Sequence, residues 1–167
     1  MNENRDTCEN VLVTLRKIIQ AIDQHSRILE KQYGLTGPQL MILKELSGGD
    51  GRYVSEIAKR ISLSQPTVTD ILDRLEAREY VVRTRSADDK RRVMVKATDR
   101  TRTFMNKAPS LLQEQFVEEF NKLAGHEQQV ILSSLTSIAS MMNAHEIKAS
   151  PVLVSGPLAA ENGEKGG

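Results

Sequence analysis

Gln65, Thr67, Thr69 and Asp70 open a segment whose apolar residues recur at three- and four-residue steps, and each carries a group that can read the edge of a base pair. A glutamine amide matches adenine N6 and N7, a threonine offers a hydroxyl and a methyl for thymine, and an aspartate accepts from cytosine N4. Ser64, Pro66 and Arg74 flank them. Further on, Arg83, Arg85, Lys90, Arg91 and Arg92 set five cations against only Asp88 and Asp89 within ten residues. Cations on a projecting turn make phosphate and minor-groove contacts. Asp89, two residues before Arg91, can brace that guanidinium by a charge-assisted pair.

The elements that must position these groups follow from periodicity. Val11, Leu15, Ile18, Ile19, Ile22 and Leu29 predict an amphipathic helix over about 7–31. Thr36-Gly37-Pro38-Gln39 reads as a capping box that starts a second helix burying Leu40, Ile42, Leu43 and Leu46. After the break at Gly48-Gly49-Asp50-Gly51 come a short helix over about 54–61, a turn at Ser62-Leu63-Ser64, and a helix over about 65–79 with Ser64 as N-cap. Val68, Ile71, Leu72 and Leu75 form the apolar face of that last helix, opposite Pro66, Thr69, Asp70 and Asp73. Two acids on a groove-facing side repel phosphate unless a cation or a base pairs with them.

Runs 80–85 and 92–97 are β-rich and read as a hairpin, and helices are expected over about 99–123 and 126–146. In the last of these Val130, Ile131, Leu135, Ile138 and Met142 form a stripe of the kind usually found in a core. The segment from Ala149 has no period and is expected to be mobile. Short helix, turn, helix and hairpin make a winged helix-turn-helix within a mostly α fold carrying a small β-hairpin wing.

Composition narrows the function. The 167 residues are 39% hydrophobic and 27% charged, ordinary globular values, and no run of about 18 apolar residues signals a membrane span. No basic start leads into an apolar stretch, so the cytoplasm is the expected location. The net charge of +1 hides a split: −1 over 1–51, +4 over 52–100 and −2 over 101–167. No HExxH, GxSxG, Walker or GxGxxG pattern is present, and His25, His126 and His145 are too scattered for a metal motif. Neither an enzyme nor a cofactor is expected; the rival reading is a helical interaction module without DNA affinity, which the basic hairpin disfavours.

Leu35-Thr36-Gly37-Pro38-Gln39, Val54-Ser55-Glu56-Ile57-Ala58, Ser64-Gln65-Pro66-Thr67-Val68-Thr69, Asp73-Arg74-Leu75-Glu76 and Asp89-Lys90-Arg91-Arg92-Val93-Met94-Val95 stand in this order, and together they resemble the MarR family of bacterial transcriptional regulators. The resemblance implies a homodimer on double-stranded DNA, with 65–69 in a major groove of a pseudo-palindromic operator and Arg91 in a minor groove, acting as a repressor. It divides the chain into an N-terminal dimerisation helix (1–34), a DNA-binding domain (35–100), C-terminal dimerisation helices (101–148) and a flexible tail (149–167). Ala21-Ile22-Asp23-Gln24-His25-Ser26-Arg27, with Gly34 to Leu40, is similar to the branch controlling ectoine and other compatible-solute operons. The sequence departs from the family pattern at Glu79, where glycine is usual, at Ala97, where leucine is usual, and at Asp70, where a basic or neutral residue is common; the usual glycine after the wing is also missing, with Thr101 near that place.

Two further sites are implied by the family. A small effector, often aromatic or anionic, is expected where Arg16, His25, Arg27 and Tyr33 can line a cleft. Some members sense peroxide through an N-terminal cysteine; Cys8, however, is flanked by Asp6 and Glu9 rather than by the cations that activate a thiolate, which favours an inert thiol.

Overall fold

The computed structural model describes residues 2–49, 51–85, 93–147 and 149–155, with the side chains of 2–4 left aside. Its first unit holds 1–109 and 153–167, its second 110–152.

In the first unit, α1 (Asn2–Tyr33) runs for 32 residues, beginning earlier than its periodicity predicts. It ends where the Gly34 N–H donates to the Glu30 carbonyl. α2 (Gly37–Ser47) starts as its capping signature predicts: the Thr36 N–H donates to Gln39 Oε1 at 3.0 Å, and Pro38 occupies the first turn, where its missing N–H costs nothing.

Gly51, with φ +104°, carries the chain into β1 (Arg52–Tyr53). A Cβ there would meet the Val95 carbonyl at 2.9 Å, so only glycine lets the strand approach its partner. β1 is followed at once by α3 (Val54–Arg60) and, after a three-residue turn and the Ser64 cap, by α4 (Gln65–Ala77). β2 (Val81–Arg85) and β3 (Val93–Ala97) then form the wing, antiparallel in the order β1-β3-β2, with Val81 opposite Ala97 and Arg85 opposite Val93. The two-residue β1 is an addition to the expected hairpin.

α5 (Asp99–Met105) closes the unit, capped by the Thr98 hydroxyl. The core is continuous through these elements: Leu29, Leu35, Leu40, Ile42, Leu43, Leu46, Ile57, Val68, Ile71, Leu72, Leu75, Val81 and Val95 are all buried. Removing this much apolar surface from water is the main force holding the lobe.

Three helices end on a left-handed residue that is not glycine: Ser62, Glu79 and Asn143, with φ between 54° and 60°. At Glu79 the Tyr80 N–H reaches the Leu75 carbonyl and the Glu79 N–H reaches the Glu76 carbonyl, both at 2.9 Å, the paired closure of a Schellman motif. The unusual residue at this family glycine position therefore keeps the glycine-like backbone, held by two hydrogen bonds and by burial of Tyr80 and Leu75.

The second unit contains α6 (Leu112–Phe120) and α7 (Gly125–Met141). The single helix expected over 99–123 is thus two, separated by an irregular stretch through Pro109, which has no N–H to give a helix and disfavours helix in the residue before it. Gln128 Nε2 ties the two helices by donating to the Phe120 and Leu123 carbonyls at 3.1 and 3.2 Å. No residue of α6 or α7 is buried, and Val130 and Leu135 of the expected core stripe are exposed. The stripe exists, but a single chain does not cover it.

In the described part of the tail, two residues touch the rest of the first unit. The Ser155 N–H donates to Ser26 Oγ at 3.2 Å, and Val154 packs so closely on Gly37 that a Cβ there would stand 2.6 Å from Val154 Cγ1. Val154 lacks periodic companions, but a glycine floor gives one apolar side chain a seat.

Candidate nucleic-acid interface

The site begins at the Ser64 cap. Its Oγ accepts from the Thr67 N–H at 3.2 Å and lies 2.7 Å from the Thr67 hydroxyl, fixing the first turn of α4. Val68, Ile71, Leu72 and Leu75 are buried beneath, which turns Gln65, Pro66, Thr69 and Asp73 to the exposed side. Thr67, Asp70 and Arg74 are half-buried at the margins.

The Thr69 hydroxyl donates to the Gln65 carbonyl at 2.9 Å. Its one proton is committed there, leaving lone pairs and a methyl to present outward. Gln65 and Thr69 border a recess of about 350 Å³ with Tyr53, Val54 and Ser55 at the start of α3, and with Arg83 and Val93 of the wing strands. Two of the four groups read from sequence as base-contacting, Gln65 and Thr69, are therefore gathered with both neighbouring elements of the motif, whereas Thr67 and Asp70 do not line the recess.

Arg85 is exposed at the end of β2 and makes no ion pair among the described residues. Asp89, Lys90, Arg91 and Arg92, the remaining expected wing contacts, lie outside the described residues. Arg83 behaves differently from Arg85: its Nη1 is hydrogen-bonded to Asp73 Oδ1 and its Nη2 donates to the Thr69 carbonyl at 3.1 Å. One of the two acids that threatened to repel phosphate, Asp73, thus has its cation. The signal was available, since β2 alternation puts Arg83 in phase with buried Val81 and so toward α4.

The expected effector residues do not converge. Arg16 and His25 are nine residues apart, half a helical turn out of phase, and exposed Arg27 lies 3.7 Å from Asp23 of its own helix. Of the four, Tyr33 borders a cleft of about 550 Å³, together with Gln32, Tyr80, Arg100, Thr103, Phe104 and Lys107. Phe104 meets Tyr33 and Tyr80 edge-on at 5.9 and 6.0 Å, and the Arg100 guanidinium stands 4.8 Å from the Tyr80 ring centroid. Sequence reading missed these partners because they come from the end of α4 and from α5. Cys8 is exposed, one residue from Glu9, which pairs with Arg5 at 3.3 Å.

Among the described residues no group of three or more His, Cys, Asp or Glu could hold a metal, and no helix is long and apolar enough to cross a membrane.

A helix-turn-helix whose second helix is followed by a β-hairpin defines a winged helix-turn-helix protein. The MarR family profile matches residues 33–92, from the end of α1 to just before β3. The transcriptional regulator SarZ of Staphylococcus epidermidis is 28% identical over 110 residues, covering 66% of this chain and 73% of SarZ. TtmR of Methylorubrum extorquens, also a transcriptional regulator, is 32% identical over 118 residues, 71% of this chain and 60% of TtmR. The fold is shared with S. aureus MepR solved as a DNA complex, at a TM-score of 0.56 and 24% identity, over 78% of this chain and 96% of MepR. Residues 33–92 thus match the MarR family of transcriptional regulators, and the chain is similar to regulators of that kind.

Proposed function

We propose that the protein represses transcription as a homodimer on duplex DNA, with α4 of each copy in a major groove of a pseudo-palindromic operator. The observation that carries this reading is the division of α4: one face wholly buried, the other presenting Gln65, Pro66 and Thr69 at its N-terminal half. That is the half of a recognition helix that meets base edges. MepR, which shares the fold, was crystallised on DNA. Arg85 supplies a phosphate contact beside the helix, and Arg91 enters the minor groove as the family resemblance implies.

The dimer reading rests on uncovered apolar surface. Val11, Leu12, Ile18 and Ile19 of α1, Phe116 and Val117 of α6, and Val130, Leu132 and Leu135 of α7 are all exposed in one chain. A second copy would bury these faces. The cleft at Tyr33, Tyr80 and Phe104, with Arg100 and Lys107 at its border, suits a planar aromatic anion as effector. Similarity to compatible-solute regulators makes osmoprotectant promoters the first targets to examine.

Selection from random duplex DNA tests the reading. It should enrich a pseudo-palindrome with half-sites about 10 base pairs apart. Enrichment of a lone asymmetric half-site would overturn the dimer, and no enrichment at all would favour the helical interaction module.

A further inference from the structure

Arg83 makes four contacts with α4 across two helical turns. Nη1 is hydrogen-bonded to Asp73 Oδ1 and stands 3.4 Å from Glu76 Oε2; Nη2 donates to the Thr69 carbonyl at 3.1 Å; and its own backbone N–H donates to Glu76 Oε1 at 3.1 Å. Its side chain is 22% exposed, whereas Asp73 is 56% exposed, so the guanidinium lies under the acids rather than beyond them. The Nε atom is buried and takes no partner, and Nη1 faces two carboxylates. Three of the five guanidinium N–H donors are thereby turned to α4, and Nε, being buried, is closed to an outside anion.

We propose that Arg83 is a positioning residue, and that it sets specificity by locking the wing strand to the recognition helix instead of touching DNA. The inference rests on the DNA-binding reading above and concerns how that site is held. Two effects follow from the geometry. The bond to the Thr69 carbonyl fixes the backbone of a residue placed for base reading, and β2 is pinned two residues before Arg85, so the angle at which the wing leaves the helix is set at Arg83. The guanidinium also offsets Asp73 and Glu76, which removes their repulsion from a phosphate-facing surface. Arg85, in phase with Arg83 along the strand and without an ion pair among the described residues, is the cation left for phosphate.

The test compares Arg83→Gln, Arg83→Lys, Asp73→Asn and Arg85→Gln in the full chain, by fluorescence anisotropy on the selected duplex and on an unrelated one across a salt series. Arg85→Gln should weaken both duplexes and flatten the log-affinity against log-salt slope by about one unit. Arg83→Gln should leave that slope unchanged and lower the ratio of specific to unrelated affinity about tenfold. Arg83→Lys keeps the charge but loses the fork, so it should also lower the ratio. Asp73→Asn changes a half-exposed side chain and carries the test even if Arg83→Gln does not fold: positioning lowers the ratio, whereas plain removal of a negative charge would tighten both duplexes alike. A slope flattened by Arg83→Gln as by Arg85→Gln, or a ratio preserved in Arg83→Lys and Asp73→Asn, overturns the proposal. A wild-type protein that binds neither duplex overturns the DNA-binding reading itself, a result separate from these.

Discussion

The fully buried Thr101 of α5 donates its hydroxyl to the carbonyl of Tyr80, the residue that completes the end of α4. The same carbonyl accepts from the Thr98 N–H at 3.1 Å, while the single proton of the Thr98 hydroxyl lies between the Glu79 carbonyl at 2.8 Å and the Tyr80 carbonyl at 3.1 Å. Thr101 thus joins the end of α4 to the start of α5, which also carries Arg100 and Phe104 of the cleft. Thr101→Val preserves shape and removes one of several donors, so it should cost about 1 kcal/mol in urea unfolding. An unchanged midpoint would show that the Thr98 bonds suffice.

Glu79→Gly should stabilise the chain by about 1 kcal/mol, since an L-residue at φ 60° carries a steric cost that glycine lacks. Thermal and urea unfolding read this directly. Destabilisation would mean that the exposed Glu79–Arg100 pair, at 3.8 Å, outweighs the backbone cost.

Gly37→Ala tests the seat of Val154. In the full chain the added methyl meets Val154 Cγ1 and should lower stability by about 1 kcal/mol, because overpacking displaces one of the two groups. In a chain ending at residue 149 the same change should be neutral or stabilising, alanine being the better helix former. Equal effects in both backgrounds would show that the tail does not dock there.

Gln65→Ala with Thr69→Ala should reduce specific binding by about 1–3 kcal/mol per true base contact and leave affinity for unrelated DNA near wild type. Anisotropy on matched duplexes measures both. Equal losses on the two would reassign these side chains to the phosphate backbone.

Ile19→Glu with Leu135→Glu places charges on exposed apolar faces of α1 and α7. If those faces bury each other's counterparts in a second copy, light scattering should report a monomer while circular dichroism keeps its helical signal. A dimer that survives both substitutions would locate the contact elsewhere.

The parts of the fold that were legible in the sequence are those decided within a few residues. Ser64 and Pro66 mark the start of α4, Thr36 and Gln39 mark that of α2, and Val68, Ile71, Leu72 and Leu75 identify the buried face and so, by opposition, Gln65 and Thr69. What was missed depends on distant partners. β1 is two residues long and exists because Arg52 and Tyr53 pair with Val95 and Met94, some forty positions later. The charge count could not separate Arg83, spent on Asp73, from Arg85. A periodic pattern showed a stripe on α7 but not what covers it. Two local signals also stood in the sequence: Pro109, its break hidden by apolar residues on either side, and the alternation that puts Arg83 in phase with Val81.

The docking of Val154 and Ser155 also orders events in time. The Ser155–Ser26 hydrogen bond spans 129 residues of sequence, so on a ribosome adding about 5–20 residues per second the corner between α1 and α2 waits on the order of ten seconds for its cover. During that interval the nascent lobe can assemble its helices and sheet with Gly37 bare. Any partner or protease that recognises the uncovered corner would therefore meet it most readily before residues 154 and 155 have been made and have docked.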